Sequence, residues 1–264
     1  MYDHIAAYYD LTHKKLHADR DFLLDLAART GDPILELGCG SGRLLLPLVE
    51  AGFHVTGLDN SAAMLTRARE RLLTLPLEAQ NRTRLIETDM LCWQNDGMQF
   101  MLIIIPYNTL MHFNPQQIQK LFSLIHNWLG ENGRLFIDLE NPFLLANSVV
   151  QNEFLLEDEF VDPETNETVQ QFSHTTLDAD VQQLHVEWKY VAVSSASTEQ
   201  RRSGRNPHST QVAMTYHYRF PHQLEMALTQ AGLRLMRIWG GYGRSPFNET
   251  SSRLLLLAKQ ADLN

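Results

Sequence analysis

The sequence predicts an α/β fold: a doubly wound, mostly parallel sheet of seven strands, interrupted by a small inserted antiparallel β-sheet. Three observations predict it. Short apolar runs alternate with segments of helical periodicity over the first 140 residues. The run ILEL at 34–37 opens onto glycines at alternate positions, Gly38, Gly40 and Gly42. Beyond residue 142 the apolar period changes to two, and the α/β texture returns from Pro221.

Residues 19–30, DRDFLLDLAART, carry apolar side chains at helical spacing and stop at Gly31. PILEL reads as a buried strand, the glycines as a turn, and GRLLLPLVEAG as a helix ending at Gly52, with Pro47 forcing a kink or an early break. HVTGLD is the second strand. Asn60 or Ser61 caps the helix AAMLTRARERLL, whose alternating charges form a solvated face. RLIETD and FMLIIIPYN supply the third and fourth strands. A helix follows from Pro115 to Leu129, then GRLFIDLE as a fifth strand after a turn at Gly130 to Gly133. Strands separated by helices imply parallel pairing with right-handed crossovers.

The stretch EFLLEDEFVDPETNETVQQFSHTTLDADVQQLHVEWKYVAV alternates polar and apolar residues and breaks at DPETNET and DAD, as antiparallel hairpins do. The polar segment 194–210 is a loop, and QVAMTYHYRF a further strand. HQLEMALTQAG is then a helix, and LRLMRIWGGYG and SRLLLLAKQ are the last two strands. The chain divides on this reading at 1–142, 143–220 and 221–264.

Bulk properties remove several function classes. With 264 residues the chain can bury a full core. A net charge of −9 would repel a polyanion, and QRRSGR at 200–205 reads as a loop rather than a nucleic-acid footprint. Two cysteines, Cys39 and Cys92, do not make a disulfide framework and suit the cytoplasm. The opening MYDHIAAYYD lacks a charged-then-apolar signal pattern, and MLIII and LLLL are too short to cross a bilayer, so a soluble protein with no membrane partner is expected.

Glycines in a strand-to-helix turn permit positive φ and close backbone approach, which is what a nucleotide-like ligand needs. A dinucleotide loop spaces its glycines G-x-G-x-x-G. Here the spacing is G-x-G-x-G, with Arg43 where the last glycine would fall, which points away from NAD.

The combination of LELGCGSGRLLLPLVEAGFHVTGLDNSAAML with ETDM and IIIPYNTL resembles the class I S-adenosylmethionine-dependent methyltransferases. The resemblance covers roughly 30–140 and returns over the C-terminal hairpin. It implies a Rossmann-like sheet with S-adenosyl-L-methionine as cofactor. It also implies that the loop Gly38, Cys39, Gly40, Gly42 lies against the methionine portion, that Asp59 with Asn60 beside it holds the ribose hydroxyls, and that Asp89 holds the adenine amino group. Met90, Leu91 and Met64 would flank the adenine, with core packing as the alternative for each. Glu36 takes the family's acidic position at the head of the loop, either orienting the turn or reaching the cofactor's amino group through water. The chemistry suits these acids, since a carboxylate accepts two hydrogen bonds from a diol or one from an amine. Asp59 stands 21 residues after Gly38, the loop-helix-strand distance that brings both ends of a nucleoside together. The sequence departs from the family at Met101, where relatives commonly carry an acid.

The segment AAYYDLTHKKLHADRDF and the C-terminal GGYGRSPFNETSSRLLLLAK resemble small-molecule methyltransferases, including sugar and glycine-type N-methyltransferases. In those an N-terminal segment covers the cofactor and an inserted sheet closes over the acceptor. On that resemblance 1–142 holds lid helices and the cofactor domain, 143–220 an acceptor cover or dimer contact, and 221–264 the returning helix and hairpin. Tyr8 and Tyr9 could then line the site, since a sulfonium tolerates an aromatic face, with helix packing as the alternative. His13 and His17 have the spacing of a helical metal pair, but there is no third ligand and no metal is expected.

Methyl transfer from a sulfonium is an in-line displacement, so the enzyme mostly aligns a lone pair and excludes water. An ammonium or hydroxyl acceptor must still lose a proton. His112, just past the fourth strand, is the candidate base and Asn108 the candidate orienting group. Tyr216 and His217 are weaker candidates of the same kind. The expected function is methyl transfer to a small-molecule acceptor. The alternatives are a protein or nucleic-acid methyltransferase, disfavoured by the acidity and by IPYN and NPF not matching N-P-P-Y, or a non-catalytic nucleotide-binding module.

Overall fold

The computed structural model describes residues 2–13, 16–148, 153–162, 165–193 and 209–262. Most of the polar loop at 194–210, with its QRRSGR, lies outside the described residues. Two compact units are present: Met1–Lys15 with Ser148–Tyr216, and Leu16–Asn147 with His217–Asn264.

The larger unit is built on a seven-stranded sheet of order β10-β11-β5-β4-β1-β2-β3. Its strands are β1 (Ile34–Leu37), β2 (Val55–Asp59), β3 (Thr83–Glu87), β4 (Phe100–Ile105), β5 (Leu129–Glu140), β10 (Leu233–Trp239) and β11 (Arg253–Gln260). β1 to β5 pair in parallel, and β11 runs antiparallel between β5 and β10. The apolar runs ILEL and FMLIII become the central strands because both of their faces are covered. The helices are α2 (Ala18–Thr30), α3 (Leu45–Glu50), α4 (Ala62–Leu72), α5 (Leu77–Asn81), α6 (Pro115–Trp128), α7 (Pro142–Ala146) and α8 (Pro221–Gln230).

Three local differences from the sequence reading have physical causes. The helix after the glycines starts at Leu45, so Pro47 sits in its first turn, where a missing N–H costs nothing; the expected kink is a helix start instead. Ser61, not Asn60, caps α4, its hydroxyl accepting from the Met64 amide at 3.2 Å. The expected turn at Gly130 to Gly133 is absorbed into β5 as an irregularity in its pairing with β4.

The smaller unit holds a four-stranded sheet of order β6-β7-β8-β9, from β6 (Leu155–Val161), β7 (Thr168–Asp178), β8 (Gln183–Val193) and β9 (Ser209–His217). β6–β7 and β7–β8 are antiparallel, joined at the turns the sequence marks. The helix α1 (Ala6–Thr12) belongs to this unit. Ile5 is buried with Val169, Tyr190, Val212 and Met214, and Tyr8 stacks on Tyr190 at 4.8 Å. Ile5 and Tyr8 therefore share a core with the inserted sheet, where the sequence division grouped them with the cofactor domain.

Gly57, in the middle of β2, is an unforeseen constraint on the larger unit. A Cβ there would lie 2.5 Å from Leu45 Cδ1 and 2.8 Å from Cys39 Sγ, so the glycine is what lets the loop pack down on the sheet. Gly57→Ala is expected to cost about 1–3 kcal/mol by overpacking, read as a lowered urea midpoint at unchanged slope. An unchanged midpoint would mean that Leu45 and Cys39 can move aside.

Candidate active site

The carboxyl ends of β1, β2, β3 and β4 gather on one edge of the sheet, the edge at which ligands bind in open α/β sheets. β11 is antiparallel, so its first residue, Arg253, pairs in register with the last of β5, Glu140, and reaches the same edge.

Gly38, Gly40 and Gly42 have φ of 79°, 53° and 82°, a region that side chains disfavour. Their surroundings differ. A Cβ on Gly38 would lie 2.7 Å from Thr109 Cγ2, whereas one on Gly40 would meet nothing within 4 Å. Gly40 is thus where backbone borders open space. The loop's amides are spent internally: Gly38 and Cys39 donate to the Leu58 carbonyl at 2.8 and 3.0 Å, and Gly42 to Cys39 at 3.0 Å. Gly40 donates to Asp59 Oδ2 at 2.8 Å, and Asp59 Oδ1 accepts from the Ser61 amide at 2.9 Å. Asp59 therefore ties the glycine loop to the start of α4.

Cys39 turns inward, 4 % exposed, and burial pushes its thiol up, so it is packed rather than presented. Asn60 is exposed beside Asp59. Asp89 is exposed after β3, its Oδ1 accepting from the Leu91 amide at 2.8 Å. The Thr88 amide donates to the Asp59 carbonyl at 2.9 Å, which brings the two acidic turns side by side. Met64 and Met90 are buried, at 3 % and 8 % exposure. Met101 lies inside β4, so its position is a strand residue rather than the turn before it.

Glu36 is 1 % exposed, and its Oε2 has no hydrogen-bond partner among the described residues. Burial pushes its carboxyl up to about 8; Arg43 opposes the shift, and Asp59 and Asp19 add to it. Arg43 is committed elsewhere, in an ion pair with the buried Asp19 at 2.6 Å. The site thus holds an acid that its own surroundings under-compensate.

The turn that carries Asn108, expected on the acceptor side, follows β4. Tyr107 and Asn108 have φ of 35° and 67°, two consecutive left-handed residues that are not glycine. Asn108 Oδ1 accepts from the Glu140 amide at 2.7 Å and from Arg253 Nη2 at 3.1 Å. Arg253 Nε and Nη2 also donate to Asp138 Oδ1 at 2.9 and 2.7 Å, and the Tyr242 hydroxyl donates to Asp138 Oδ2 at 2.8 Å. Burial first, and then the neighbouring Asp138, raise the Tyr242 phenol well above its ordinary value, which keeps it a donor. Past the turn, a 3-10 segment carries Thr109 and His112. Burial pushes the His112 imidazole down to about 4, so the ring is neutral at pH 7.

Sequence reasoning missed Asp19, Gly57, Tyr107, Asp138, Tyr242 and Arg253. Only Asp138 carried a signal, as an acid inside the apolar strand LFIDL. Tyr9, Tyr216 and its neighbours on α1 and the small sheet are described within the other unit, where Tyr9 stacks on His13 at 4.0 Å. His13 ends α1 and His17 precedes α2, so the single helix that would put them on one face is not formed.

An open α/β sheet with a glycine loop at its carboxyl edge is the class of fold that this edge defines. Residues 34–133 match the family described as a methyltransferase domain. The putative methyltransferase YqeM of Bacillus subtilis is 27 % identical over 127 residues, 48 % of this chain and 49 % of that protein. The chain spans about half the length of the first curated relatives it matches. Among solved structures, an S-adenosylmethionine-dependent methyltransferase from Clostridium acetobutylicum superposes with a TM-score of 0.77 at 17 % identity, covering 97 % of this chain and 96 % of that one. CalS10, an amino pentose methyltransferase from Micromonospora echinaspora solved with S-adenosylmethionine bound, superposes with a TM-score of 0.66 at 17 % identity, covering 96 % and 97 %. Over residues 34–133 the chain is thus similar to methyltransferase domains, and its fold is the one seen in S-adenosylmethionine-dependent methyltransferases.

Glu36 yields a pH-dependent expectation. Its folded-state pKa is raised from 4.5 to about 8, so its contribution to stability is fully present below pH 4.5 and is lost as pH rises through 8. Glu36→Gln, which stays neutral, should gain on the wild type as pH rises and should be more stable by on the order of 3 kcal/mol near pH 7.5. Urea unfolding at pH 5, 6.5 and 8 reads this; a stability difference that does not grow with pH contradicts it.

Proposed function

We propose that this chain transfers a methyl group from S-adenosyl-L-methionine to a small-molecule acceptor, an amine or a hydroxyl, by in-line displacement. The observation that carries the reading is the Asp59 carboxylate, held by the Gly40 and Ser61 amides next to backbone that borders open space. Bound S-adenosyl-L-methionine would supply an electrophilic methyl group on a sulfonium. Asp59 keeps lone pairs after its two amide bonds and suits a ribose diol, with Asn60 exposed beside it. Glu36, with its unpartnered buried oxygen, suits the cofactor's ammonium. Asp89 suits the adenine amino group, with Met90 and Met64 as apolar neighbours. The amino pentose enzyme among the structural neighbours supports a small acceptor, and a net charge of −9 disfavours nucleic acid. Cytoplasm is the compartment proposed, from two free cysteines. A homodimer through the unpaired edges of β6 and β9 is the oligomer that the small sheet would permit.

His112 is proposed as the acceptor-side group. Its neutral ring accepts a hydrogen bond and so orients the nucleophile, but a conjugate acid near 4 makes it a poor store for an amine's proton. The acceptor's own ionisation should therefore set the pH profile.

Two results test the proposal. Asp59→Ala should weaken calorimetric affinity for S-adenosylmethionine and S-adenosylhomocysteine alike by about one to two decades, and a folded variant of wild-type affinity removes the assignment. With an amine acceptor, kcat/KM should rise with pH up to the amine's own pKa with no inflection from His112 between pH 5.5 and 7.5. His112→Ala should lower turnover by about two orders of magnitude through lost orientation of the acceptor, at unchanged cofactor affinity. An inflection near pH 6.5 that disappears in His112→Ala would restore the histidine as the base.

A further inference from the structure

We infer that Arg253, the first residue of the last strand, is a positioning residue for the acceptor side of the site: it clamps the Tyr107–Asn108 turn in its left-handed conformation and so sets where Thr109 and His112 stand. The inference rests on the methyl-transfer reading for its activity test but not for its conformational one.

The turn needs a clamp. Two successive residues other than glycine at φ of 35° and 67° hold an unfavourable backbone and persist only where the surroundings over-determine them. Asparagine tolerates this region better than most residues, but tyrosine does not share that advantage. Hydrogen bonds fix the turn. The Asn108 amide donates to the Asp138 carbonyl at 2.9 Å, and Asn108 Oδ1 accepts from the Glu140 amide and from Arg253. Because a backbone N–H must meet an oxygen, the orientation of the Asn108 amide is settled by that bond. The Arg253 guanidinium also lies over the Tyr107 ring, 4.9 Å from its centroid. One planar cation thus touches both strained residues.

Arg253 is itself rigid. Its side chain is 10 % exposed, and two of its nitrogens meet Asp138 Oδ1, while the Tyr242 hydroxyl holds the other oxygen of that carboxylate. A fork with several donors can serve Asp138 and Asn108 together, which the point charge of a lysine cannot. The clamped turn reaches the cofactor side as well. Arg43, which follows Gly42, lies 5.5 Å from the Tyr107 ring centroid, and the Thr109 methyl group occupies the space against Gly38. A shift of the turn would therefore displace His112 relative to the glycine loop, and misplacement of about 1 Å can cost about a hundredfold in rate.

The test uses the whole chain with S-adenosyl-L-methionine as donor and the best acceptor among glucosamine, ethanolamine, glycine and catechol. Arg253→Lys keeps a charge for Asp138 but loses the arm to Asn108. It should lower kcat/KM for the acceptor by about tenfold or more and leave cofactor affinity within about threefold. Asn108→Gly accepts the left-handed φ without strain and removes the oxygen that Arg253 holds; it should remain folded and lose activity to a similar degree. If Arg253 acts through Asn108, the double variant should be no worse than the poorer single variant. Hydrogen exchange of residues 106–113, measured without substrate, should speed up in both single variants. Wild-type kcat/KM in Arg253→Lys, multiplicative losses in the double variant, or unchanged exchange at 106–113 would each overturn the clamp. A wild-type protein with no methyl transfer to any acceptor would sink the methyl-transfer reading instead, while the exchange measurement would still decide the clamp.

Discussion

The Asp59 carboxylate is the contact on which the glycine-loop edge of the sheet depends. One of its oxygens holds the Gly40 amide and the other the Ser61 amide, so a single side chain fixes the loop after β1 against the helix after β2. Charge-assisted bonds to backbone amides are stronger and shorter than neutral ones, and here they replace the helix N-terminus as the loop's anchor, because α3 begins only at Leu45. The glycines then serve geometry rather than donation. Gly38 makes room for Thr109, Gly40 leaves backbone against open space, and Gly57 lets Cys39 and Leu45 settle on the sheet.

Around that anchor lie buried acids. Glu36, Asp19 and Asp138 are each no more than 2 % exposed; Arg43 pairs with Asp19 and Arg253 with Asp138, while burial raises the Glu36 carboxyl to about 8. Burial of charge is unfavourable unless it is paired and hydrogen-bonded, and the pairing is uneven. Asp138 collects donors from Arg253 and Tyr242, whereas Glu36 keeps an oxygen without a partner. The satisfied carboxylate of Asp138 is held beside the turn after β4, and Glu36 is left the less compensated acid of the cluster.

The division of labour between the two units follows from their cores. The larger one buries the central strands on both faces and places the site at their ends. The smaller one is organised by aromatic side chains, with Tyr8 against Tyr190 and Phe160 and with Trp188 against Tyr216. Its recruitment of α1 from the start of the chain explains why AAYYD carries two tyrosines: one of them packs in an apolar core that the sheet alone could not close.

The sequence by itself determined the α/β class, the seven strands, the antiparallel insert and the loop with Asp59 and Asp89 at neighbouring strand ends. These features rest on local periodicity and on glycine's freedom at positive φ, which a window of residues reveals. Tertiary structure decided the rest. The segment around Ile5 and Tyr8 joined the insert, since which core accepts an amphipathic segment depends on surfaces remote in sequence. Cys39 turned inward because Gly57 left room for it, and the imidazole of His112 lost its basicity through burial that no spacing encodes. The clamp on Asn108 joins residues 145 positions apart, Arg253 from the last strand and Asn108 from the turn after β4. Such a contact exists only once β11 has inserted antiparallel beside β5, because hydrogen bonding and desolvation depend on distance in space and not along the chain.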